Sequence, residues 1–428
     1  MKINDKAWQD YFAKTGALEE IKRSGFEYVN AVDLKAQTGR EPRLLAKIDT
    51  IKDSPEIFKR NNISIFPVRN GRYILFEDPE NQSFYQFTDE DKNLPIQVYD
   101  SNIDLQSFAS FPGSQNLNES QAIDFAFISS LLSKFTGNHG LNLAIRSRIY
   151  SGQFDFSLPI TGHSVHVSGV QIEVDAGYES EDQIVLIEAK IGKRDDFHIR
   201  QLYYPYLEWR GKTNKPISTI YLVISNSKYY FYEFSFSKDF GGLSLIRKEC
   251  FSINESPITK VSLPSLLSNV QVESEPDKIP YPQANDLDKV VDLISFVKQG
   301  NTTKSELAEI FEFDERQGDY YANAGRYLGL IDKSNTNFST TRFGDEFLAI
   351  KSASRRTEFI LQQLFKRPTF RSVFNLIAEK KTSIDSIPNE VIASFIGKYT
   401  NLTGSTPPRR ASTVRSWLNW VTQNVEFI

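Results

Sequence analysis

Glu173-Val174-Asp175-Ala176-Gly177-Tyr178 is followed, across a polar turn, by Ile184-Val185-Leu186-Ile187-Glu188-Ala189-Lys190, and these two runs decide the reading of the chain. Ile184 to Ile187 is a continuous, mostly β-branched apolar run, the mark of a strand buried on both faces. At its end stand Glu188 and Lys190. Strand side chains alternate faces, so these two point the same way while Ala189 points into the packing on the other side. Asp175 lies on the preceding strand, and the chain turns back between Gly177 and Asp182. Two carboxylates and an ammonium are thereby expected at one spot on the edge of an apolar sheet. Asp175, Glu188 and the Ala189 carbonyl would make a hard, oxygen-only site suited to Mg²⁺. A lysine beside it orients or deprotonates a water, or stabilises charge on a phosphate oxygen.

The flanking segments predict an α/β architecture. Upstream, Asn118-Glu119-Ser120-Gln121 opens an apolar helix running to about Phe135, with Asn118 as N-cap and Gln121 as its capping-box partner. Leu143 to Ile149 (with Arg146 and Arg148 on one face), Phe154 to Leu158 and Ser164 to Glu173 form a meander leading into Asp175. Glu173 shares a face with Asp175 by period 2, as a third carboxylate or as a partner for a nearby arginine. Downstream, a helix carries His198, Arg200, Gln201, Tyr204 and Tyr206, and Thr219 to Ser225 and Tyr229 to Ser235 are further strands.

Asp175, then Glu188-Ala189-Lys190 after a gap of 12 residues, resembles the PD-(D/E)XK nuclease superfamily, whose pattern is an acid followed by (D/E)-x-K on the next strand. The resemblance implies a central mixed sheet flanked by helices, in the order β-β-α-β around the site. It also implies catalytic roles for Asp175, Glu188 and Lys190, an extra acidic residue at Glu119 and an orienting Gln201. Pro205 departs from the superfamily's Q-x-x-x-Y spacing and weakens Tyr204 and Tyr206 more than Gln201.

With 428 residues, two or three domains are expected. Residues 1–110 read as an N-terminal α/β domain with a helix from Trp8 to Ile21, a hairpin turning at Asn70-Gly71, and arginines Arg40, Arg43, Arg69 and Arg72 available to DNA. Residues 111–270 hold the nuclease-like core, entered through a loop at 111–116. Residues 271–285, acidic and Pro-rich, read as a linker. Residues 286–428 read as helical: an amphipathic helix from Leu287 to Val297, a capping box at Thr303 to Glu306, a third helix from Glu315 to Leu328, then a short strand.

Three helices and a hairpin resemble a winged helix-turn-helix. In such folds the third helix enters the major groove, which would bring Tyr321, Asn323 and Arg326 to DNA. The net charge of −4 excludes a uniformly basic nucleic-acid binder, yet residues 351–428 hold 12 Lys and Arg against 5 Asp and Glu. Arg409, Arg410 and Arg415, with the first two placed just before a helix beginning near Ser412, are the DNA contacts expected there.

The stretches Arg40 to Lys47 and Gln171 to Tyr178 resemble bacterial type II restriction endonucleases with appended winged-helix domains. That resemblance implies Mg²⁺-dependent hydrolysis of double-stranded DNA at a short sequence, leaving 5′-phosphates. It further implies a homodimer and a cognate DNA methyltransferase as genetic partner. The alternatives are a non-catalytic winged-helix DNA-binding regulator, or another superfamily nuclease acting on modified DNA or in repair. One cysteine, Cys250, excludes a disulfide framework, and no apolar run approaches the roughly 20 residues of a membrane helix. A cytoplasmic protein of a bacterium or archaeon, with no membrane partner, is the expectation.

Overall fold

The apolar run expected as a doubly buried strand forms β10 (Ile184–Ile191), in the middle of the largest sheet of this computed structural model, which describes residues 3–113, 117–236, 242–256, 258–311 and 314–428. That sheet runs in the order β5 (Ile96–Tyr99), β14 (Leu243–Ile253), β13 (Lys228–Phe236), β12 (Ile217–Ser225), β10, β9 (Gln171–Glu179), β6 (Asn142–Tyr150). β6, β9 and β10 alternate in direction, and β12 lies parallel to β10. Parallel neighbours need a crossover. Here it passes through β11 (Asp196–His198) and a helix, Arg200–Arg210.

Three layers result, and the fold is mixed α/β as expected. With α1 denoting Ile3–Thr15, α2 Glu119–Ile128 and α3 Arg200–Arg210, α2 covers one face of the sheet and α3 the other. Val185, Ile187 and Ala189 pack with Ile123 and Phe125 of α2; Ile184 and Leu186 pack with Tyr203 and Leu207 of α3. The alternation read from the sequence therefore divides β10 between two cores.

Several boundaries move for local reasons. The helix expected from Trp8 to Ile21 breaks at Gly16, which takes φ +68°, so that α1 ends and Ala17–Ser24 starts a new helix. The long helix after Asn118 likewise breaks, at Ser130 with φ +64°, into α2 and Leu131–Thr136. Residues 114–116 of the loop leading to it lie outside the described residues. β7 (Gln153–Ser157) and β8 (Ser164–Ser168) form a separate ribbon, and Gly169 at φ +62° parts β8 from β9.

The N-terminal unit pairs β1 (Phe26–Asn30), β3 (Arg72–Glu77) and β2 (Ile63–Arg69) in that order, with the hairpin turn at Asn70-Gly71. The boundary expected near residue 110 cuts through shared structure. β4 (Phe84–Gln86) pairs with β11, and β5 extends the large sheet beside β14.

After β15 (Thr259–Val261), which pairs with the terminal β18 (Val425–Phe427), the chain becomes helical. Its helices include α4 (Leu287–Lys298), α5 (Lys304–Ile310), α6 (Glu315–Tyr327), α7 (Pro368–Lys380), α8 (Asn389–Tyr399) and α9 (Thr406–Asn424). A hairpin of β16 (Ile331–Ser334) and β17 (Asn337–Thr340) follows α6. α4 is amphipathic as expected, but its polar face is covered as well, because it wedges between the helical core and the β12–β13 turn.

Residues 271–285, expected as a linker, have no regular structure yet are packed. Glu275 is buried and accepts from the Tyr327 hydroxyl at 2.5 Å and the Thr369 N–H at 3.1 Å; Tyr281 and Ala284 enter the helical core. Its acidic residues find partners far away in sequence, which local composition cannot reveal. Among the described residues no helix is long and apolar enough to cross a membrane.

Candidate active site

Asp175, Glu188, Lys190 and Glu119 converge at the carboxyl end of β10, where a crossover leaves the sheet and open α/β sheets place their ligands. Lys190 Nζ donates to Glu188 Oε1, as two same-face residues on one strand allow. Asp175 is brought in by an irregularity in its own strand. Ile145 pairs with Gly177, but Ser147 pairs with Val174, so two steps along β6 match three along β9. Val174 and Ala176 would share a face in a regular strand; here Val174 packs on the α3 side and Ala176 on the α2 side. The extra residue is the signature of a β-bulge, a device that re-aims a side chain. The Asp175 carboxylate turns toward β10 and accepts the Ala189 N–H at 2.8 Å.

The bulge also decides between the two readings of Glu173, in favour of an arginine partner. Glu173 does not stand with Asp175 but pairs with Arg148 at 3.2 Å on the exposed face. Arg146 is held by Asp124 of α2.

Electrostatics bind the cluster together. Burial, together with the charges of Asp175 and Glu119, pushes the Glu188 carboxyl up to about 8 against the opposing pull of Lys190. Burial works against the Lys190 ammonium, but Glu188, Glu119, Tyr221 and Asp175 outweigh it and hold its pKa well above the usual lysine range. Glu119, in the first turn of α2 behind the expected Asn118–Gln121 capping box, thus feels both groups from the opposite layer.

Gln201 sits in the first turn of α3. Its Oε1 is buried with no hydrogen-bond partner among the described residues, an acceptor that native interiors seldom leave unused. His198 is structural: buried among Phe66 and Phe84, it accepts the Arg200 N–H through Nδ1, and burial lowers its pKa well below the usual range, so it stays neutral. Tyr204 is committed to the Pro67 carbonyl at 2.7 Å and Tyr206 packs on Phe236.

The donor set is all oxygen. Among the described residues no group of three or more His, Cys, Asp or Glu side chains is arranged to hold a metal. Mg²⁺ characteristically needs only one or two carboxylates and keeps several waters, so Asp175, Glu188 and the Ala189 carbonyl remain a chemically suitable set. Burial raises Glu188 first and the charges of Asp175 and Glu119 add to it; that added repulsion is what a divalent cation would relieve.

The residues expected at DNA divide. Tyr321 packs against the helical core. Asn323 is buried, donating to Asp319 at 2.9 Å and accepting from Arg326 Nη1 at 2.9 Å. Arg415 donates to the carbonyls of Ile384 and Ile387 and to Asn389 Oδ1, fastening α9 to the start of α8. These four side chains are engaged within the protein. Arg409 and Arg410 remain, but inside α9 rather than before it: Pro407 and Pro408 occupy the first turn, where a missing N–H costs nothing, and the helix starts at Thr406. In the N-terminal unit, Arg72 lies over the Tyr28 ring and Arg40 donates to Asn4. Sequence reading missed Arg316, exposed in the first turn of α6 and donating to the Tyr320 hydroxyl; period-3.6 spacing of an arginine and a tyrosine was the available signal.

Three family models match the chain, each described as a domain of unknown function: DUF6996 over residues 5–75, DUF6997 over 80–252 and DUF7226 over 289–426. The acidic cluster falls within the second match, and Arg316, Arg409 and Arg410 within the third. No curated protein and no solved structure matches.

Proposed function

We propose that the protein is a Mg²⁺-dependent nuclease of the PD-(D/E)XK kind that hydrolyses phosphodiester bonds of double-stranded DNA, with type II restriction at a short specific sequence as its role. One observation carries the reading: Asp175, Glu188, Lys190 and Glu119 meet at the end of β10, in a run α2–β6–β9–β10–α3–β12 that matches the order the resemblance implies. The three helices α4 to α6 followed by the β16–β17 hairpin support a winged-helix region in the same sense.

Bound by Asp175, Glu188 and the Ala189 carbonyl, Mg²⁺ would polarise the scissile phosphate and lower the pKa of a coordinated water. The chain's own groups do the rest. Lys190, kept cationic by the surrounding carboxylates, stabilises charge on a phosphate oxygen and positions the attacking water. Gln201 Oε1 supplies a buried acceptor for a water proton. Glu119 adds negative charge from the neighbouring layer. Cutting both strands at such sites calls for two copies, and a homodimer with a partner methyltransferase belongs to the same proposal.

A non-catalytic DNA-binding regulator is the second reading, favoured by the closed Lys190–Glu188 ion pair and the lack of a three-acid metal group among the described residues. Supercoiled plasmid incubated with the protein in Mg²⁺ or in EDTA separates the two. Discrete linear fragments in Mg²⁺ alone support restriction, a smear supports a less specific nuclease, and intact plasmid under all conditions removes the enzyme reading.

A further inference from the structure

The N-terminal unit carries a helix pair and a hairpin of its own, and their outward side chains are uncommitted where those of α6 are not. After β1 comes a helix, Ala31–Thr38, then a turn of three residues, Gly39-Arg40-Glu41, then a second helix, Pro42–Ala46. Gly39 takes φ +68° and its N–H closes on the Lys35 carbonyl at 2.8 Å, the left-handed stop that lets the chain turn sharply. A further short helix, Glu56–Asn61, leads to β2, and β2 and β3 form the hairpin at Asn70-Gly71. β1 pairs antiparallel with β3, so the strand before the helix pair lies beside the second strand of the hairpin. Helix, strand, helix-turn-helix and hairpin, in that strand order, is the connectivity of a winged helix-turn-helix.

Packing decides which sides face out. Leu34 of the first helix and Leu45 of the second are buried with Trp8, Val29 and Leu75. Outside stand Val32, 79% exposed, and on the second helix Arg43 and Leu44, the latter 49% exposed. The hairpin adjoins them. The Gly71 carbonyl accepts the Ala31 N–H at 2.8 Å at the start of the first helix, and Lys35 of that helix pairs with Glu41 at 2.5 Å, at the N-cap of the second. Arg69 and Arg72 face each other across the turn, both exposed, with Arg72 4.5 Å from the Tyr28 ring centroid. Among the described residues Arg43, Arg69 and Arg72 have no ion pair, while both acids of the helix pair are taken, Asp33 by Asn30 and Glu41 by Lys35.

In a helix-turn-helix the first residues of the second helix meet the base edges. An arginine and an apolar side chain there suit guanine and the thymine methyl, and arginines on a hairpin suit phosphates. The segment that follows is bonded to β11: the Asp49 carbonyl accepts the His198 N–H at 2.9 Å and the Ile51 N–H donates to Asp196 at 2.8 Å. The unit is therefore fastened to the crossover that leaves the candidate catalytic strand.

We propose that residues 3–77 form a sequence-reading winged helix, with Arg43 and Leu44 contacting base edges in the major groove of duplex DNA and Arg69 and Arg72 holding phosphates. The inference rests on the nuclease reading for its choice of duplex DNA. It deepens that reading by assigning base recognition to the N-terminal unit rather than to α6.

The test is selection by the full chain, in EDTA, from a library of 30-base-pair duplexes with a randomised centre. The wild type is expected to enrich one motif. R43A/L44A is expected to lose about 10-fold or more of the preference at one or two positions of that motif, while binding unselected duplex within about threefold of wild type. R43Q is expected to change the preferred base at one position from guanine to adenine, a result that misfolding cannot produce. R69A/R72A is expected to weaken all duplexes alike and to lower the slope of log K against log salt by roughly two. No enriched motif with the wild type, the same motif at full strength in R43A/L44A and R43Q, an unchanged salt slope in R69A/R72A, or a preference for an RNA hairpin would each overturn the reader. Plasmid cleavage is a separate readout: intact plasmid in Mg²⁺ with the expected selection results sinks the nuclease reading and leaves the reader standing.

Discussion

Asp175 Oδ2 accepts the Ala189 N–H at 2.8 Å, although the regular ladder between their strands stops at Ala176 and Ile187. One carboxylate oxygen therefore orders the end of β10, while the other makes no hydrogen bond among the described residues and is the one the proposed metal would take. Asp175→Asn keeps an acceptor and removes the charge. It is expected to slow Mg²⁺-dependent nicking by at least about 10²-fold while shifting stability by under ~1 kcal/mol. Asp175→Ala should lose as much activity and in addition about 1–3 kcal/mol, because the Ala189 N–H loses its partner. Nicking rates and urea melts check both, and wild-type cutting by the asparagine variant would take Asp175 out of the mechanism.

Lys193, three residues beyond Lys190, is mostly buried 3.1 Å from Asp288 of α4, which also faces the buried Lys228 at 3.8 Å and accepts from Trp420 and Asn226. The helical unit is thus joined to the exit of the candidate catalytic strand. Removing one partner of a buried pair typically costs ~3–5 kcal/mol. Asp288→Asn should cost more than Lys193→Met, since it strips two buried lysines of their counter-charge. Urea denaturation of both variants decides it; the reverse order would mean that Lys228 finds its partner elsewhere.

Asp292 of α4 accepts from Ser225 Oγ and the Asn226 N–H, yet burial pushes its pKa up to about 7, helped by Asp288 and Asp286. A carboxyl raised in the folded state stabilises below its unfolded pKa, near 4, and that contribution is lost as pH rises toward 7. Relative to wild type, Asp292→Asn should gain stability progressively between pH 4 and 7, by up to ~4 kcal/mol, and no further above it. Thermal melts of both proteins across that range measure the difference. A flat difference would show the carboxyl ionised throughout.

Gly318 of α6 carries no side chain because a Cβ there would lie 2.4 Å from the Lys304 carbonyl oxygen of α5. Alanine normally favours a helix over glycine by about 1 kcal/mol. Here overpacking should win, and Gly318→Ala is expected to destabilise by ~1–3 kcal/mol. A stabilised variant would mean that α5 and α6 separate easily.

Much of the candidate site was legible because strand chemistry is periodic. Alternation put Glu188 and Lys190 together and Ala189 into the α2-side core, and the Asn118–Gln121 capping box marked the start of α2. The same rule failed at Glu173 and Asp175, where one extra residue in β9 breaks the period that the rule assumes.

Residue chemistry along the chain was enough to establish a mixed α/β protein, a buried strand ending in Glu188-Ala189-Lys190, and a helical C-terminal region rich in arginine. Only the folded chain decided which arginines are spent on carbonyls, as Arg371 and Arg415 are. Only it showed that the acidic segment at 271–285 is packed rather than loose. The division has one physical cause: backbone periodicity and capping act within a few residues, whereas a charge's partner is whatever the fold brings within a few ångströms, from any distance along the chain.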